Sequence, residues 1–154
     1  MKTTVILMGM LGTMCLSAFS QTVTPPMNIE KSFSAKAPSA EEVGWEYDEG
    51  DNQWEVDYKK DGTECSMAFS RSGDWLETEM EMKLKELPEA VRAAIKRDFS
   101  DYDIKEVEYV ETPEGSFYEL EAETKEGDGE KEYEIKISPE GEVVSKTEEQ
   151  KEAE

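Results

Sequence analysis

The chain contains no histidine, and only two of its 154 residues are cysteines. Histidine is the commonest general base and the usual partner of a serine or cysteine nucleophile, so those catalytic arrangements have no members here. Carboxylates are plentiful, but a glycosidase-type pair needs one acid held in an apolar pocket, whereas these acids alternate along strand-like segments. We therefore expect a protein that is not an enzyme and that uses no cofactor.

Basic residues are also scarce, since 17 lysines and arginines face 38 aspartates and glutamates and leave a net charge of -21. A chain this acidic is a poor partner for nucleic acid and for anionic membrane surfaces. The charge has two interpretations: it keeps the protein soluble, or it forms an acidic binding surface. The three tryptophans, six tyrosines and five phenylalanines occur in strand-like alternation, which favours a folded core over disorder.

A long apolar run is found only near the start of the chain, from Val5 to Phe19. Together with Lys2 and the small-x-small sequence Ala18-Phe19-Ser20, it predicts a signal peptide over residues 1–20. A membrane anchor is the rival interpretation, but it would need a longer and less interrupted run. We therefore expect a periplasmic or secreted protein with no integral membrane segment after cleavage.

Neither cysteine is expected to form an internal disulfide or to act as a reactive thiol. Cys15 lies inside the predicted signal peptide, and it follows Met14 where a lipoprotein signal would have a small residue. Cys65 is then the single cysteine of the mature chain, so no internal disulfide is expected. Its place in the alternating run Cys65–Phe69 is typical of a small buried apolar residue.

What the chain does contain is an internal repeat. Pro26–Tyr47 aligns without a gap on Pro88–Tyr109, and the two prolines and the two Glu-Tyr pairs coincide. In both halves a short amphipathic helix pattern precedes four strand patterns. We predict a flexible lead at 21–26, a first repeat at 27–84, a second repeat at 85–147 and an acidic tail at 148–154.

Short turns separate the strand patterns, as an antiparallel meander requires. The predicted helices are Met27–Ala37 and a second that starts at Pro88 and ends between Asp98 and Asp103. The predicted strands are Val43–Tyr47, Trp54–Tyr58, Cys65–Phe69, Trp75–Met82, Ile104–Val110, Phe117–Thr124, Glu132–Ser138 and Glu142–Lys146. The predicted fold is therefore α+β, a tandem repeat of a short helix followed by a four-stranded antiparallel sheet, and it stays open whether the two sheets join.

Side chains two residues apart in a strand share a face, so each sheet should have an apolar face under its helix and an open acidic face. In the second half that open face carries Glu108, Glu119, Glu121, Glu132, Glu134 and Lys136. In the first half the candidate partner-binding residues are Trp75, Glu46, Glu55, Asp57, Glu64, Glu77 and Glu79. We expect this face to recognise a protein or peptide of basic character.

Trp75 is the candidate with two interpretations. Simple alternation places it beside Glu77 and Glu79, where a tryptophan would serve as an interface anchor. Alternatively, the turn before it shifts the alternation and buries its side chain. The sequence favours neither.

Two acidic turns, Asp48–Asn52 and Glu126–Glu130, offer oxygen ligands of the kind that calcium accepts. Neither matches the spacing of an EF-hand loop, and hairpin turns need glycine, aspartate and asparagine for their own geometry. We predict no metal site, and keep two alternatives to partner binding: a periplasmic calcium or cation-binding protein, and an envelope structural protein that pairs through a strand edge.

The arrangement as a whole resembles the PepSY-like family of small exported proteins. The resemblance rests on Val43-Gly-Trp45-Glu and Trp54-Glu-Val56 in the first half and on Glu86-Leu87-Pro88-Glu-Ala-Val91 and Tyr118-Glu-Leu120 in the second. It implies an architecture similar to the beta-lactamase inhibitory protein and a non-enzymatic binding or inhibitor-like function. No binding residues carry over, and the disulfides of that inhibitor are missing here, so the same target is not implied.

Overall fold

A computed structural model describes residues 23–126 and 129–149. Its elements in chain order are α1 Met27–Lys36, β1 Glu41–Asp48, β2 Gln53–Lys60, β3 Thr63–Ser70, β4 Trp75–Glu81, a 3₁₀ turn Leu84–Glu86, α2 Glu89–Asp98, β5 Asp103–Thr112, β6 Gly115–Glu126, β7 Gly129–Ile137 and β8 Val143–Glu148. The predicted signal peptide, the turn residues 127–128 and the tail residues 150–154 lie outside the described residues. Pro25, which the sequence assigned to the flexible lead, is buried.

All eight strands belong to one antiparallel sheet, and their spatial order is their order in the chain. The two predicted four-stranded sheets are joined because β4 pairs with β5, with Thr78–Glu81 lying opposite Glu108–Glu111. The fold is therefore α+β, and the described residues form two α-helices and one eight-stranded sheet. The connection between β4 and β5 is the longest in the sheet, because it contains α2.

Both helices begin directly after a proline, where the missing N–H costs nothing. In α1 the N–H of Ile29 donates to the Pro26 carbonyl at 2.9 Å, and Ile29 and Phe33 face the sheet. This helix ends at Lys36, one residue earlier than predicted, since the residue before Pro38 is disfavoured in helical geometry. In α2 the buried residues are Val91 and Ala94.

The two helices lie on the same side of the sheet. Residues paired across neighbouring strands share a face, and one such row crosses the junction: Cys65, Met80, Tyr109, Tyr118 and Ile137. Cys65 belongs to the cluster packed under α1, whereas Tyr118 and Ile137 belong to the cluster under α2. The opposite face of the whole sheet is consequently covered by neither helix.

Each helix closes its own hydrophobic cluster. The first contains Ile29, Phe33, Ala37, Val56, Tyr58, Cys65, Met67 and Phe69. The second contains Leu87, Val91, Ala94, Phe99, Val107, Tyr118, Leu120, Ala122, Tyr133, Ile135 and Ile137. Full burial of an aliphatic or aromatic side chain stabilises a fold by about 1.5–3 kcal/mol, so the helix-side face holds the sheet together and the other face is free for other chemistry.

Candidate functional site

The face of the sheet opposite the helices is covered with carboxylates, and we call it the acidic face. Strand pairing places Glu46 opposite Glu55, Glu81 opposite Glu108, and Glu108 opposite Glu119. Its acidic residues include Glu46, Asp48, Glu55, Asp57, Glu64, Glu77, Glu79, Glu81, Glu106, Glu108, Glu119, Glu121, Glu123, Glu132 and Glu134. Like charges directly opposite one another destabilise a sheet, so this arrangement costs the fold stability.

Six of the seven residues predicted to bind a partner lie on the acidic face. They are Glu46, Glu55, Asp57, Glu64, Glu77 and Glu79. Two of them hold local hydrogen bonds: Gln53 Nε2 donates to Glu55 Oε1 at 2.9 Å, and Ser66 Oγ donates to Glu79 Oε2 at 2.8 Å. Their placement on one face follows from the strand register, whereas their role in binding stays a prediction.

Trp75 lies on the other side of the sheet, under α1. A β-bulge between β3 and β4 leaves Ala68 opposite Glu77 but Phe69 opposite Trp75, so Leu76 is the extra residue and the alternation changes there. The indole packs against the first hydrophobic cluster, and its Nε1 donates to Thr78 Oγ1 at 2.9 Å. Lys36 Nζ lies 3.7 Å from the ring centroid. Of the two interpretations, the structure shows the shifted alternation, and placing Trp75 among the acidic-face residues is wrong.

This position makes a structural role for Trp75 testable. Trp75→Phe removes the hydrogen bond to Thr78 and weakens the contact with Lys36, and we expect the free energy of unfolding to fall by about 1 kcal/mol. Urea denaturation followed by circular dichroism measures it. Unchanged stability together with lost partner binding would contradict the structural role and restore Trp75 as a contact residue.

The centre of the acidic face lies where the two halves of the sheet meet, and we call it the acidic centre. It comprises Glu77, Glu79, Glu106, Glu108, Glu119, Glu121 and Glu134 around Lys136. Glu119 and Glu134 have side chains that are only 13% and 3% exposed. Two apolar residues of the same face, Ala68 and Val110, are also buried, although no helix covers them.

Burial and neighbouring carboxylates both disfavour ionisation here. Burial, together with the charges of Glu79, Glu106, Glu119 and Glu121, raises the pKa of Glu108 to about 8. Burial also raises the pKa of Glu77, Glu119 and Glu121 to about 7. Part of the acidic centre is therefore protonated at neutral pH.

Lys136 is the cation of the acidic centre. Its Nζ lies 3.0 Å from Glu119 Oε2 and 3.1 Å from Glu134 Oε1, and 4.8 Å from the centroid of Phe117. Burial lowers the pKa of Lys136, but the two carboxylates outweigh it and the net shift is upward. Glu134 Oε1 accepts no hydrogen bond within the described part of the chain, so its charge is compensated by the ion pair with Lys136.

Two residues of the acidic centre, Glu77 and Glu79, were predicted from the sequence to bind a partner. Glu108, Glu119, Glu121, Glu134 and Lys136 were predicted to lie on the open face but were not selected as site residues. Alternation along β5 to β7 was the available signal, and it located Glu108, Glu119, Glu121 and Lys136 correctly. The pairing of β4 with β5, which brings Glu79 and Glu108 together, is not readable from alternation. The sequence therefore did not predict that Glu79 and Glu108 lie close together.

The Asp48–Asn52 turn uses its carboxylate for its own geometry. Asp48 Oδ1 accepts hydrogen bonds from the N–H groups of Gly50 at 2.6 Å and Asp51 at 3.2 Å. Tyr47 donates its hydroxyl proton to Asn52 Oδ1 at 2.6 Å. Within residues 23–126 and 129–149 no group of three or more acidic or cysteine side chains is arranged to hold a metal ion. The second acidic turn includes residues 127–128, which lie outside the described residues.

The fold and the open acidic face define a small α+β protein with one solvent-facing sheet surface. The sequence profile of the family described as "Putative beta-lactamase-inhibitor-like, PepSY-like" matches residues 52–145, more than half of the chain, so the chain belongs to that family. No curated protein matches it.

Several solved structures share the fold. A DUF2874 family protein from Bacteroides ovatus matches with a TM-score of 0.74 and 21% identity over 82% of this chain and 89% of that chain. A "BLIP-like protein" from Bacteroides fragilis matches with a TM-score of 0.72 and 22% identity over 82% and 87% of the two chains. A protein from Bacteroides eggerthii, described as one of the "putative periplasmic proteins", matches with a TM-score of 0.71 and 22% identity over 82% and 90%. Identities this low establish a common fold alone.

Across the helices that the structure describes, none combines the length and the apolar composition needed to cross a membrane.

Proposed function

We propose that this protein is an exported, non-enzymatic binding or inhibitor-like module that recognises a basic protein or peptide through its acidic face. The observation that carries the proposal is a sheet face that spans all eight strands, lies on the side away from both helices and presents carboxylates from β1 to β7. Membership of the inhibitor-like family supports partner binding. The predicted signal peptide, and the description of the Bacteroides eggerthii protein as periplasmic, support export.

Charge would give this surface its selectivity. A net charge of -21 repels acidic competitors at long range and speeds the encounter with a cationic partner. Exposed charges are screened beyond about 8 Å at physiological ionic strength, so binding through this face should weaken as salt is added. The contacts themselves would be ion pairs between lysine or arginine side chains and the carboxylates.

We also propose that residues 27–84 and 85–147 are structural repeats. The turn after β3 and the turn after β7 have the same hydrogen bonds: Gly73 N–H donates to Ser70 O, and Gly141 N–H donates to Ser138 O, both at 2.9 Å. Each glycine lies against its own helix, near Asn28 and Ala90 respectively. Those two helix residues are equivalent when Pro26 is aligned with Pro88, so the same helix-to-turn contact occurs in both halves.

Charge reversal on the acidic face tests the function. We expect Glu55→Lys/Asp57→Lys/Glu64→Lys to abolish the capture of a basic protein by residues 21–154 used as bait in an envelope extract of its own organism. The control Glu49→Lys/Glu114→Lys/Glu140→Lys changes the net charge equally at exposed turn residues, and it should retain the partner. The reason is that only the first variant reverses the sign of the proposed contact surface.

The captured protein is identified by mass spectrometry, and its affinity is then measured with both purified variants at low and high salt. Equal loss in the two triple variants would show that net charge alone attracts the partner. Full retention by the Glu55/Asp57/Glu64 variant would contradict binding through the acidic face.

A further inference from the structure

We propose that the acidic face binds its cationic partner with release of protons from the acidic centre, so that binding tightens as the pH rises. This inference rests on the proposed function, because it concerns the same face. It adds a regulation that the charge alone does not imply: the surface becomes fully anionic only when a cation arrives or when the pH rises.

The geometry that supports it is a set of neighbouring acids with too few cations. Glu106 lies opposite Glu121, and Glu121 lies opposite Glu134, so one row across β5, β6 and β7 consists of three acids. The adjacent row crosses β4 to β7 and consists of Glu81, Glu108, Glu119 and Lys136, each lying opposite the next. One ammonium group therefore serves both rows at the acidic centre. Carboxylates crowded in this way cannot all ionise at low cost, and some retain their protons.

Carboxylates from β2, β4, β5, β6 and β7 lie around the centre, together with the ammonium group of Lys136. The groups that face its carboxylates are Glu55 and Asp57 from β2, Glu77, Glu79 and Glu81 from β4, Glu106 and Glu108 from β5, Glu119 and Glu121 from β6, Glu132, Glu134 and Lys136 from β7, and Glu149 after β8. No histidine exists in the chain to titrate in the same range. Among the side chains, these carboxylates are therefore the groups expected to exchange protons near neutral pH, because burial and neighbouring acids raise the pKa of Glu77 to about 7 and that of Glu108 to about 8.

The binding step balances simply. A protonated carboxyl group of the centre loses its proton to the buffer, and the resulting carboxylate pairs with an ammonium or guanidinium group of the partner. No bond other than the O–H bond is broken. Since a lysine ammonium has a pKa near 10.4, the partner keeps its charge throughout the range, and one proton released per partner bound would raise the affinity up to about tenfold per pH unit.

The experiment uses the mature chain, residues 21–154, and a synthetic peptide in which four lysines alternate with glycines as the probe. Isothermal titration calorimetry at pH 6, 7 and 8 and at constant ionic strength measures affinity, and repeating pH 7 in phosphate and in Tris measures the protons released. We expect affinity to be at least tenfold higher at pH 8 than at pH 6, with about one proton released at pH 7. Carbon-13 NMR of the glutamate carboxyl groups in the free protein should show midpoints above 6.

A variant separates the acidic centre from the rest of the surface. Glu108→Gln/Glu119→Gln should lose most of the pH dependence, whereas the exposed control Glu49→Gln should keep it. Binding that is independent of pH and releases no proton would overturn this inference while leaving the proposed function intact. Carboxyl midpoints all near 4.5 would overturn it without any ligand. A probe that fails to bind at pH 8 would overturn both the proposed function and the proton coupling of binding.

Discussion

Lowering the pH from 8.5 to 6 is expected to raise the free energy of unfolding of this protein by about 3 kcal/mol. This figure is reduced for solvent screening, and because protonation of one acid weakens the repulsion felt by its neighbours. Glu108, with a pKa raised to about 8, and Glu77, Glu119 and Glu121, with pKa values raised to about 7, bind protons more tightly in the folded than in the unfolded chain. Their stabilising contribution is fully present below the unfolded pKa of about 4.5. It is lost as the pH rises through 7 and 8.

Thermal unfolding at pH 6, 7 and 8.5 and at fixed ionic strength measures this effect. For a chain of this size the difference corresponds to a melting temperature about 10 °C higher at pH 6 than at pH 8.5. Glu108→Gln should raise stability at pH 8.5 and reduce the slope, because the neutral amide keeps the shape without the charge. A protein that becomes more stable between pH 6 and pH 8.5 would contradict the protonated state of the acidic centre.

Gly141→Ala is expected to lower the free energy of unfolding by about 3 kcal/mol, because two costs combine there. The residue has φ of 84°, a region that L-amino acids other than glycine disfavour. A Cβ atom would also lie 2.5 Å from the carbonyl oxygen and 2.9 Å from the carbonyl carbon of Ala90 in α2. Backbone atoms of a packed helix cannot move aside without disturbing the second hydrophobic cluster.

Two other glycines provide a graded comparison in the same chain. Gly62 has φ of 81°, and a Cβ added there would meet no atom within 4 Å. Gly62→Ala should therefore lower the free energy of unfolding by about 1 kcal/mol, from the backbone conformation alone. At Gly73 the Cβ would meet Asn28 Nδ2 at 2.6 Å, and because a side chain can move, we expect an intermediate loss of about 2 kcal/mol. Urea denaturation of the three variants gives the order directly. If Gly62→Ala and Gly141→Ala lowered the free energy of unfolding equally, the close contact between α2 and the turn at Gly141 would contribute nothing to the effect.

The helices and strands were readable from local patterns because each carries its own signal. Ile29 and Phe33 at four-residue spacing located α1, and alternation located every strand to within a few residues. Several strands extend beyond the predicted bounds, as β6 does from Gly115 to Glu126, because backbone pairing continues into residues with no apolar alternation. In contrast, β4 ends at Glu81, one residue earlier than predicted. Trp75 could not be placed in the same way, since the bulge beside it is a property of the pairing of β3 with β4.

The amino-acid sequence by itself determined the chemistry of this protein: a large excess of carboxylates, no histidine, a single cysteine in the predicted mature chain, and strands with one apolar and one acidic face. Only the tertiary structure decided where the acids concentrate. Alternation assigns a side chain to a face of its own strand, but it does not show which strands become neighbours across an intervening helix. The pairing of β4 with β5 brings Glu79 and Glu81 beside Glu108 and buries the middle of the acidic face. Burial and like charge act together only in that arrangement, which is why ordinary glutamates become proton-holding groups there.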